Sequence, residues 1–246
     1  MLESAKIFDD IVRGRRAMRI YDHEKEFDAS AVQRSLQRAL LAPNSSNMQL
    51  WEFYRVADPE KIKSIAKLCM NQNSARTAKE LIIIAIPSNK WRLRAKANLK
   101  FHHARYQNKP VKELSKREQR KLSYYSRLMP VYYFQDWFGI WGMIRKLIVF
   151  IASFFRPVVW QVSKNDLRII SHKSAALAAQ TFMLSMKSEG YDCCPMEGFD
   201  SWKLKRYLKF PLGYEINMII SCGPGTDGGI YHERFRVPEE EVLFNL

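Results

Sequence analysis

Four arginines fall within seven residues in RGRRAMRIYD, at Arg13, Arg15, Arg16 and Arg19. A guanidinium is a planar fork that can pair with a phosphate through two hydrogen bonds, so this density points to a multivalent anion. A solvated basic face is the other reading of the stretch taken alone. Near the far end, ERFRVP places Arg234 and Arg236 in alternation, on one side of an expected extended strand. APNSSNMQLWEF offers Asn44, Ser45, Asn47 and Gln49, which can donate to and accept from a polar heterocycle, or simply form a helix-to-strand turn. CCPMEGFD groups Pro195, Met196, Glu197 and Gly198, where the glycine permits close backbone approach to a ligand. No Ser/His/Asp or Cys/His set accompanies these pieces. His102, His103 and His172 read as structural or surface residues. Cys69, Cys193, Cys194 and Cys222 match neither a zinc spacing nor a disulfide framework, and read as small buried side chains in a reducing compartment.

The elements that must position these residues follow from hydrophobic period. Ser4 to Arg16 places Ile7, Phe8, Ile11 and Val12 at helical spacing. A second helix starts at an Asp28 or Ser30 cap, carries Val32, Leu36, Ala39 and Leu40 as its stripe, and ends before Pro43. WEFYRVA alternates as a strand does. DPEKIKSIAKLCM opens with Asp-Pro and turns Ile62, Ile65, Ala66 and Cys69 inward. Leu81 to Pro87 is a continuous apolar run, as suits a strand buried on both faces. Regularity resumes near Asp166 with a long Ala-rich helix that Gly190 can terminate. A short helix at SWKLKRYLKFP, a strand over Glu215–Gly223 and a turn-rich PGTDGG follow. Strands and helices mix in a layered fold.

The four chemical pieces, in this order, resemble the nitroreductase family of FMN-dependent oxidoreductases. The family pattern is an Arg-rich segment after helix one, a P-S-S-x-N-x-Q-P-W-type loop, a G-[LI]-x-x-x-x-I-x-G-F segment and a basic-x-Arg pair near the C-terminus. Here they read RRAMRIYD, PNSSNMQLWEF, GYDCCPMEGFD and RFRVP, over roughly residues 4–88 and 166–240. The resemblance implies an α+β fold of three layers, with a mostly antiparallel sheet between helices. It implies that Arg15, Arg16 and Arg19 hold the FMN phosphate and the pyrimidine edge of the ring. Ala17 stands where a serine often touches that phosphate. Asn44, Ser45, Asn47 and Gln49 match the loop that packs on the flavin, in this family usually from the partner subunit. Asn71 stands where an amide meets the ring's polar edge, with Asn73 as a competitor. Pro195, Met196, Glu197 and Gly198 match the segment whose backbone N–H groups face flavin N5. Arg234 and Arg236 complete the phosphate site. Leu50 replaces the usual proline.

The activity implied is ping-pong hydride transfer from NAD(P)H through FMN to an organic acceptor (quinone-like, nitro, enone or lipid-linked). No protein nucleophile and no metal are needed, because the cofactor carries the chemistry and the protein supplies orientation and positive charge. A flavin dehydrogenase or desaturase reduced by its own substrate, and a flavin-fold binding module without turnover, remain alternatives. The family implies a homodimer, and the apolar end of EEEVLFNL suits docking on a partner.

Charge divides the chain further. Between Lys90 and Trp160 there are 16 Lys/Arg against 3 Asp/Glu, a net of +13, although the whole chain carries only +15. Twelve of the 31 aromatics lie between Tyr124 and Trp160. Residues 89–165 therefore read as a basic, aromatic-rich insertion into an FMN-binding domain formed by 1–88 and 166–246. A membrane span needs about 20 apolar residues without central charge. Arg145 and Lys146 interrupt this one, at about 2.5–3.5 kcal/mol each. The open readings are an element lying on an anionic membrane surface over 89–160, or a lid over the substrate channel or dimer interface. Basic residues with interleaved aromatics also fit nucleic acid, but no nucleic-acid module accompanies them. The N-terminal MLESAKIFDD has no apolar signal run, which predicts a cytoplasmic location with a peripheral contact to the inner face of the membrane as an open reading.

Overall fold

The computed structural model describes residues 2–134 and 138–245. Gln135, Asp136 and Trp137 of the aromatic stretch lie outside the described residues.

Among the described residues, four strands make one antiparallel sheet: β1 (Glu52–Val56), β2 (Glu80–Pro87), β3 (Asp192–Met196) and β4 (Tyr214–Gly223), in the order β1-β2-β4-β3. β2 is buried along its whole length, as its unbroken apolar run requires. Its alternation sorts side chains to two cores. Leu81 and Ile83 face one core with Ile62, Ile65, Ala66 and Cys69 of helix α3 (Pro59–Leu68) and its end. Ile82, Ile84 and Ile86 face the other, with Val32 and Ala39 of α2 (Ala29–Ala39) and Ala175, Ala178, Ala179 and Phe182 of the long C-terminal helix, Lys164–Ser188. The three layers are those implied by the resemblance. Asp28 caps α2 and Asp58 caps α3, each accepting from a first-turn backbone N–H.

β3 was not anticipated from DCCPM, where an internal proline argues against a strand. It is tolerated because β3 is the sheet edge, so the missing N–H costs no central ladder bond. The expected strand at ERFRVP does not form: residues 231–238 pair with no strand. The first helix forms as expected, α1 (Glu3–Gly14), yet none of its residues is buried. Its apolar stripe, with Ile7 and Phe8 more than half exposed, faces outward instead of into the chain's own core.

An ion pair with one buried partner ties β1 to β2. Arg55 grips Glu80 through Nε (2.5 Å) and Nη2 (2.7 Å), and the Glu80 side chain is only 3 % exposed. At the opposite end of the sheet, Glu215 of β4 accepts from His172 (3.1 Å) and Arg168 (2.5 Å) of the long helix. The His172 bond and then the Arg168 pair hold the Glu215 carboxyl below its usual range, against desolvation. Its stabilisation is present at neutral pH and is lost as pH falls through the depressed value. Glu215→Gln is thus expected to narrow the gap in Tm between neutral and acid pH, and an unchanged acid limb in a thermal melt series would contradict this.

The short α4 (Asn73–Arg76) precedes β2, and the described residues of 89–165 form helices α5 (Trp91–Arg105), α6 (Lys116–Ser123), α7 (Met129–Tyr133) and α8 (Ile140–Ser153), with a π-helical turn at Tyr124–Leu128. A third core anchors them: Ala95, Tyr125, Met129 and Tyr133 pack with Met48 and Leu50 and with Leu167 of the long helix, here α9. α6 begins with the reciprocal capping pair Ser115/Glu118, and α9 with Ser163/Asp166. Among the described residues no helix is long and apolar enough to cross a membrane.

Candidate functional site

α1 stops at Gly14, and the arginines after it run extended along the sheet edge. Ala17 pairs parallel with Cys193 of β3, and Met18 donates its N–H to the Cys193 carbonyl (3.1 Å). The buried Met18 side chain anchors the segment. The next turn holds it from outside. Arg19 donates its N–H to the Gly229 carbonyl (2.7 Å), and Asp22 to the Pro224 carbonyl (2.9 Å).

PGTDGG is thus more than a turn. A Cβ on Gly229 would lie 2.2 Å from the Met18 sulfur and 2.6 Å from the Ile20 carbonyl oxygen, which is backbone and cannot give way. Gly229→Ala is expected to displace the arginine segment, costing about 1–3 kcal/mol of stability and weakening anion binding together with it. A variant that melts and binds as the wild type does would contradict that role.

Arg15, Arg16, Ala17 and Arg19 line a cleft of about 760 Å³. Asn71 to Ser74, which follow α3, form a second wall, and Ile230 to Arg236 form the third. The walls are tied together. Arg16 Nη2 donates to the His232 carbonyl (2.5 Å), Arg234 Nη2 to the carbonyls of Arg15 (2.7 Å) and Arg13 (2.9 Å), and Asn73 Nδ2 to the Tyr231 hydroxyl (2.9 Å). Five arginines therefore meet one carboxylate, Glu233, along the cleft. Desolvation, and then repulsion from Arg16, Arg236, Arg15 and Arg13, hold Arg234 below the ordinary guanidinium range. A cluster under such repulsion is stabilised by an anion. A phosphate group with an attached polar ring fits this donor set, with arginines for the phosphate and amides for the ring edge.

The structure places the expected residues unequally. Arg15, Arg16, Ala17, Arg19, Asn71, Arg234 and Arg236 lie together on the cleft. Ala17 contributes no side-chain hydrogen bond there. Asn71 is left-handed (φ 51°), while Asn73 is engaged by Tyr231 and by Arg76 Nη2 (2.7 Å). Pro195, Met196, Glu197 and Gly198 end β3 beside the cleft wall. Met196 is buried and accepts from the Ser74 hydroxyl (3.2 Å), Glu197 is exposed, and the Gly198 carbonyl accepts from Gln72 Nε2 (2.8 Å). Gln72, Gly229, Tyr231 and His232 were missed. The polar run NQNS after a helix was a usable signal for Gln72; the others needed long-range contacts.

Asn44, Ser45, Asn47 and Gln49 lie away from the cleft within one chain. Ser45 donates its N–H to the Ser174 hydroxyl of α9 (3.3 Å), and α9 covers the sheet face opposite Met18. The loop is held rigidly. Gln49 donates its N–H to Asn44 Oδ1 (2.8 Å). Asn47 and the buried Asn98 of α5 exchange bonds of 2.8 and 2.9 Å, and Tyr125 donates to the Ser46 carbonyl (3.1 Å). Among the described residues, eight non-glycine residues have positive φ, and five of them are Ser46, Asn47, Gln49, Met70 and Asn71. Left-handed backbone costs side-chain-bearing residues on the order of 1 kcal/mol each and concentrates at ligand sites. Here it concentrates in the two loops that the resemblance assigns to the cofactor.

The thiols are no part of a site. All four cysteines are buried, and burial pushes Cys69 up to about 11 and Cys193 well above its usual value, so they stay protonated.

A model of the nitroreductase family matches residues 12–224. Protein DrgA of Synechocystis is 28% identical over 239 residues, spanning 96% of this chain and 93% of that protein. Among solved structures, a nitroreductase-like protein of Streptococcus mutans superposes with a TM-score of 0.71 at 18% identity, covering 98% of this chain and 99% of the other. A protein of Exiguobacterium sibiricum solved in complex with FMN superposes with a TM-score of 0.67 at 22% identity, covering 97% of each chain.

Proposed function

This chain belongs to the nitroreductase family, and from that premise we propose that it is an FMN-dependent oxidoreductase moving hydride from NAD(P)H to an organic acceptor in ping-pong order. The observation that carries the reading is the cleft in which Arg15, Arg16, Arg19, Arg234 and Arg236 converge on one anion-sized space. When bound, FMN supplies a ring that accepts two electrons and a proton from one partner and returns them to another.

The chain's own residues do the rest. Arg15, Arg16, Arg19, Arg234 and Arg236 would hold the phosphate. Asn71 would meet the ring's polar edge. The N–H groups of Glu197 and Gly198 would present hydrogen-bond donors toward N5, on a backbone that Gln72 keeps in place through the Gly198 carbonyl.

A homodimer is part of the proposal. The Asn/Ser loop lies on the opposite side of the sheet from the cleft, so in a two-fold assembly a partner's copy can cover the ring. Two apolar surfaces are available for assembly. One is the outward stripe of α1. The other is the C-terminal arm, where Phe235, Val242, Leu243 and Phe244 are all exposed. Within this reading, 1–88 and 166–246 form the cofactor domain and 89–165 an inserted element that props the Asn/Ser loop through Asn98 and Tyr125. The acceptor is proposed to be quinone-like, nitro or enone in chemistry, free or lipid-linked.

Initial rates of FMN-loaded protein, with NADH or NADPH varied at several fixed quinone or nitroaromatic concentrations, test the kinetic order. Parallel double-reciprocal lines are expected, because one site serves both substrates in turn. Intersecting lines would sink the ping-pong order.

A further inference from the structure

α8 is an apolar helix that turns its one inward charge away from solvent. The Arg145 side chain is buried, and its Nη1 donates to the carbonyls of Val131 (2.8 Å), Tyr132 (2.7 Å) and Phe134 (2.8 Å), the last turn of α7 and the residues beside it. Gly142 packs on the start of α9, where an added Cβ would stand 3.5 Å from the Lys164 nitrogen. These contacts fix which side of the helix faces in. At about 100° per residue, Met143, Leu147, Phe150, Ile151 and Phe154 then project within an arc of about 100° centred opposite Arg145. All five are at least half exposed, and Phe154 reaches 71 %. Arg145, which with Lys146 argued against a membrane span in the sequence, is thus spent on backbone carbonyls, and Lys146 is left at the flank of the apolar face.

What surrounds that face is cationic and aromatic. Lys146 and Trp160 share a shallow hollow with Leu147, Phe150 and Asp166, whose carboxylate accepts from the Ser163 N–H and hydroxyl at the start of α9, and Trp160 is half exposed. Arg156 directly follows the exposed Phe154–Phe155 pair. No carboxylate occurs from Phe138 to Asn165. A second copy of the chain is a poor occupant, because an isologous contact would bring Lys146 and Arg156 of both copies together, where the nearby carboxylate, Asp166, is already engaged by Ser163 and lies beside its own Lys146. Lipid phosphates and anionic headgroups provide the complement, and tryptophan at the boundary suits the interfacial zone. At 14 residues, α8 spans about 21 Å, too short to cross the roughly 30 Å hydrocarbon core, so it lies along the surface.

We propose that the outer face of α8, flanked by Lys146, Arg156 and Trp160, docks this protein on an anionic lipid surface. The inference does not depend on the catalytic reading, since it uses no residue of the arginine cleft.

FMN-loaded protein sedimented with phosphatidylcholine vesicles, with and without phosphatidylserine, tests it. The expected result is sedimentation with the phosphatidylserine vesicles and much less with phosphatidylcholine alone. Leu147→Glu/Phe154→Glu is expected to lower the partition coefficient at least about tenfold while flavin content and Tm stay as in the wild type. Lys146→Gln/Arg156→Gln, which leaves the apolar face whole, is expected to lower it by roughly tenfold on the anionic vesicles only. Wild-type protein remaining in the supernatant with both vesicle types would overturn the proposal. So would glutamate variants that bind as the wild type does, or a larger lipid-free oligomer that those variants dissociate, which would assign the face to a second copy. NAD(P)H bleaching measured on the same samples separates failure of docking from failure of the enzymatic reading.

Discussion

Arg234→Ala is expected to weaken FMN binding on the order of 10- to 100-fold, the equivalent of one charge-assisted hydrogen bond of about 1.5–3 kcal/mol to phosphate. The position is chosen because Arg234 belongs to the cationic cluster and also closes it, bonding to the carbonyls of Arg13 and Arg15 on the opposite wall. Its surroundings point the same way: desolvation and repulsion from four neighbouring arginines hold its guanidinium below the ordinary range, and a bound anion relieves that repulsion. Arg234→Lys should recover part of the affinity, since the charge returns without the planar fork. Arg234 is exposed, so the thermal midpoint should move little. Quenching of FMN fluorescence on titration with apoprotein reads the constant. An unchanged constant would place the phosphate elsewhere than among these arginines.

Arg55→Ala is expected to cost about 3 kcal/mol or more at neutral pH. Its partner Glu80 is buried at the start of the central strand and receives two short bonds from this one guanidinium. Without Arg55, a carboxylate remains out of water with no counter-charge. For a chain of this length, such a loss lowers Tm by about 6–12 °C. Urea unfolding distinguishes this mechanism from simple loss of packing. Arg55→Ala combined with Glu80→Leu should be more stable than Arg55→Ala alone, because the double change removes the stranded charge. A double variant no better than the single would count against it.

The two residues also mark how far the sequence could be read. β2 was legible because a strand buried on both faces needs an unbroken apolar run, and LIIIAIP is one. The residue before it, Glu80, gave no sign of being buried, since its partner lies 25 positions away on β1. The helices α2, α3 and α9 were legible from caps and stripes. α1 was legible as a helix but not in its exposure, because an amphipathic pattern records that a face needs cover without saying which surface covers it. β3 was hidden by Pro195, and only its edge position makes that proline harmless. Every cleft arginine is legible in the sequence, because density of arginine is itself a signal. Gln72, Tyr231 and His232 are not, since they contribute through a carbonyl, an amide or a hydroxyl brought near by loops distant in sequence. The Asn/Ser loop was recognised as a unit, yet nothing in its residues tells that it sits across the sheet from the arginines. Arg145 shows the same limit. Its charge was visible, while the three carbonyls that neutralise its effect on the helix surface required the fold.

The central claim is that the arginine cleft holds FMN and that nicotinamide reduces it. The most direct measurement is anaerobic addition of one equivalent of NADH or NADPH to purified protein loaded with FMN, followed through the visible absorbance of the flavin. Retention of flavin through gel filtration and stoichiometric bleaching by at least one nicotinamide, reversed by a quinone or nitroaromatic, is the predicted result. Protein that cannot retain FMN, or bound flavin that stays yellow with both nicotinamides, would contradict it.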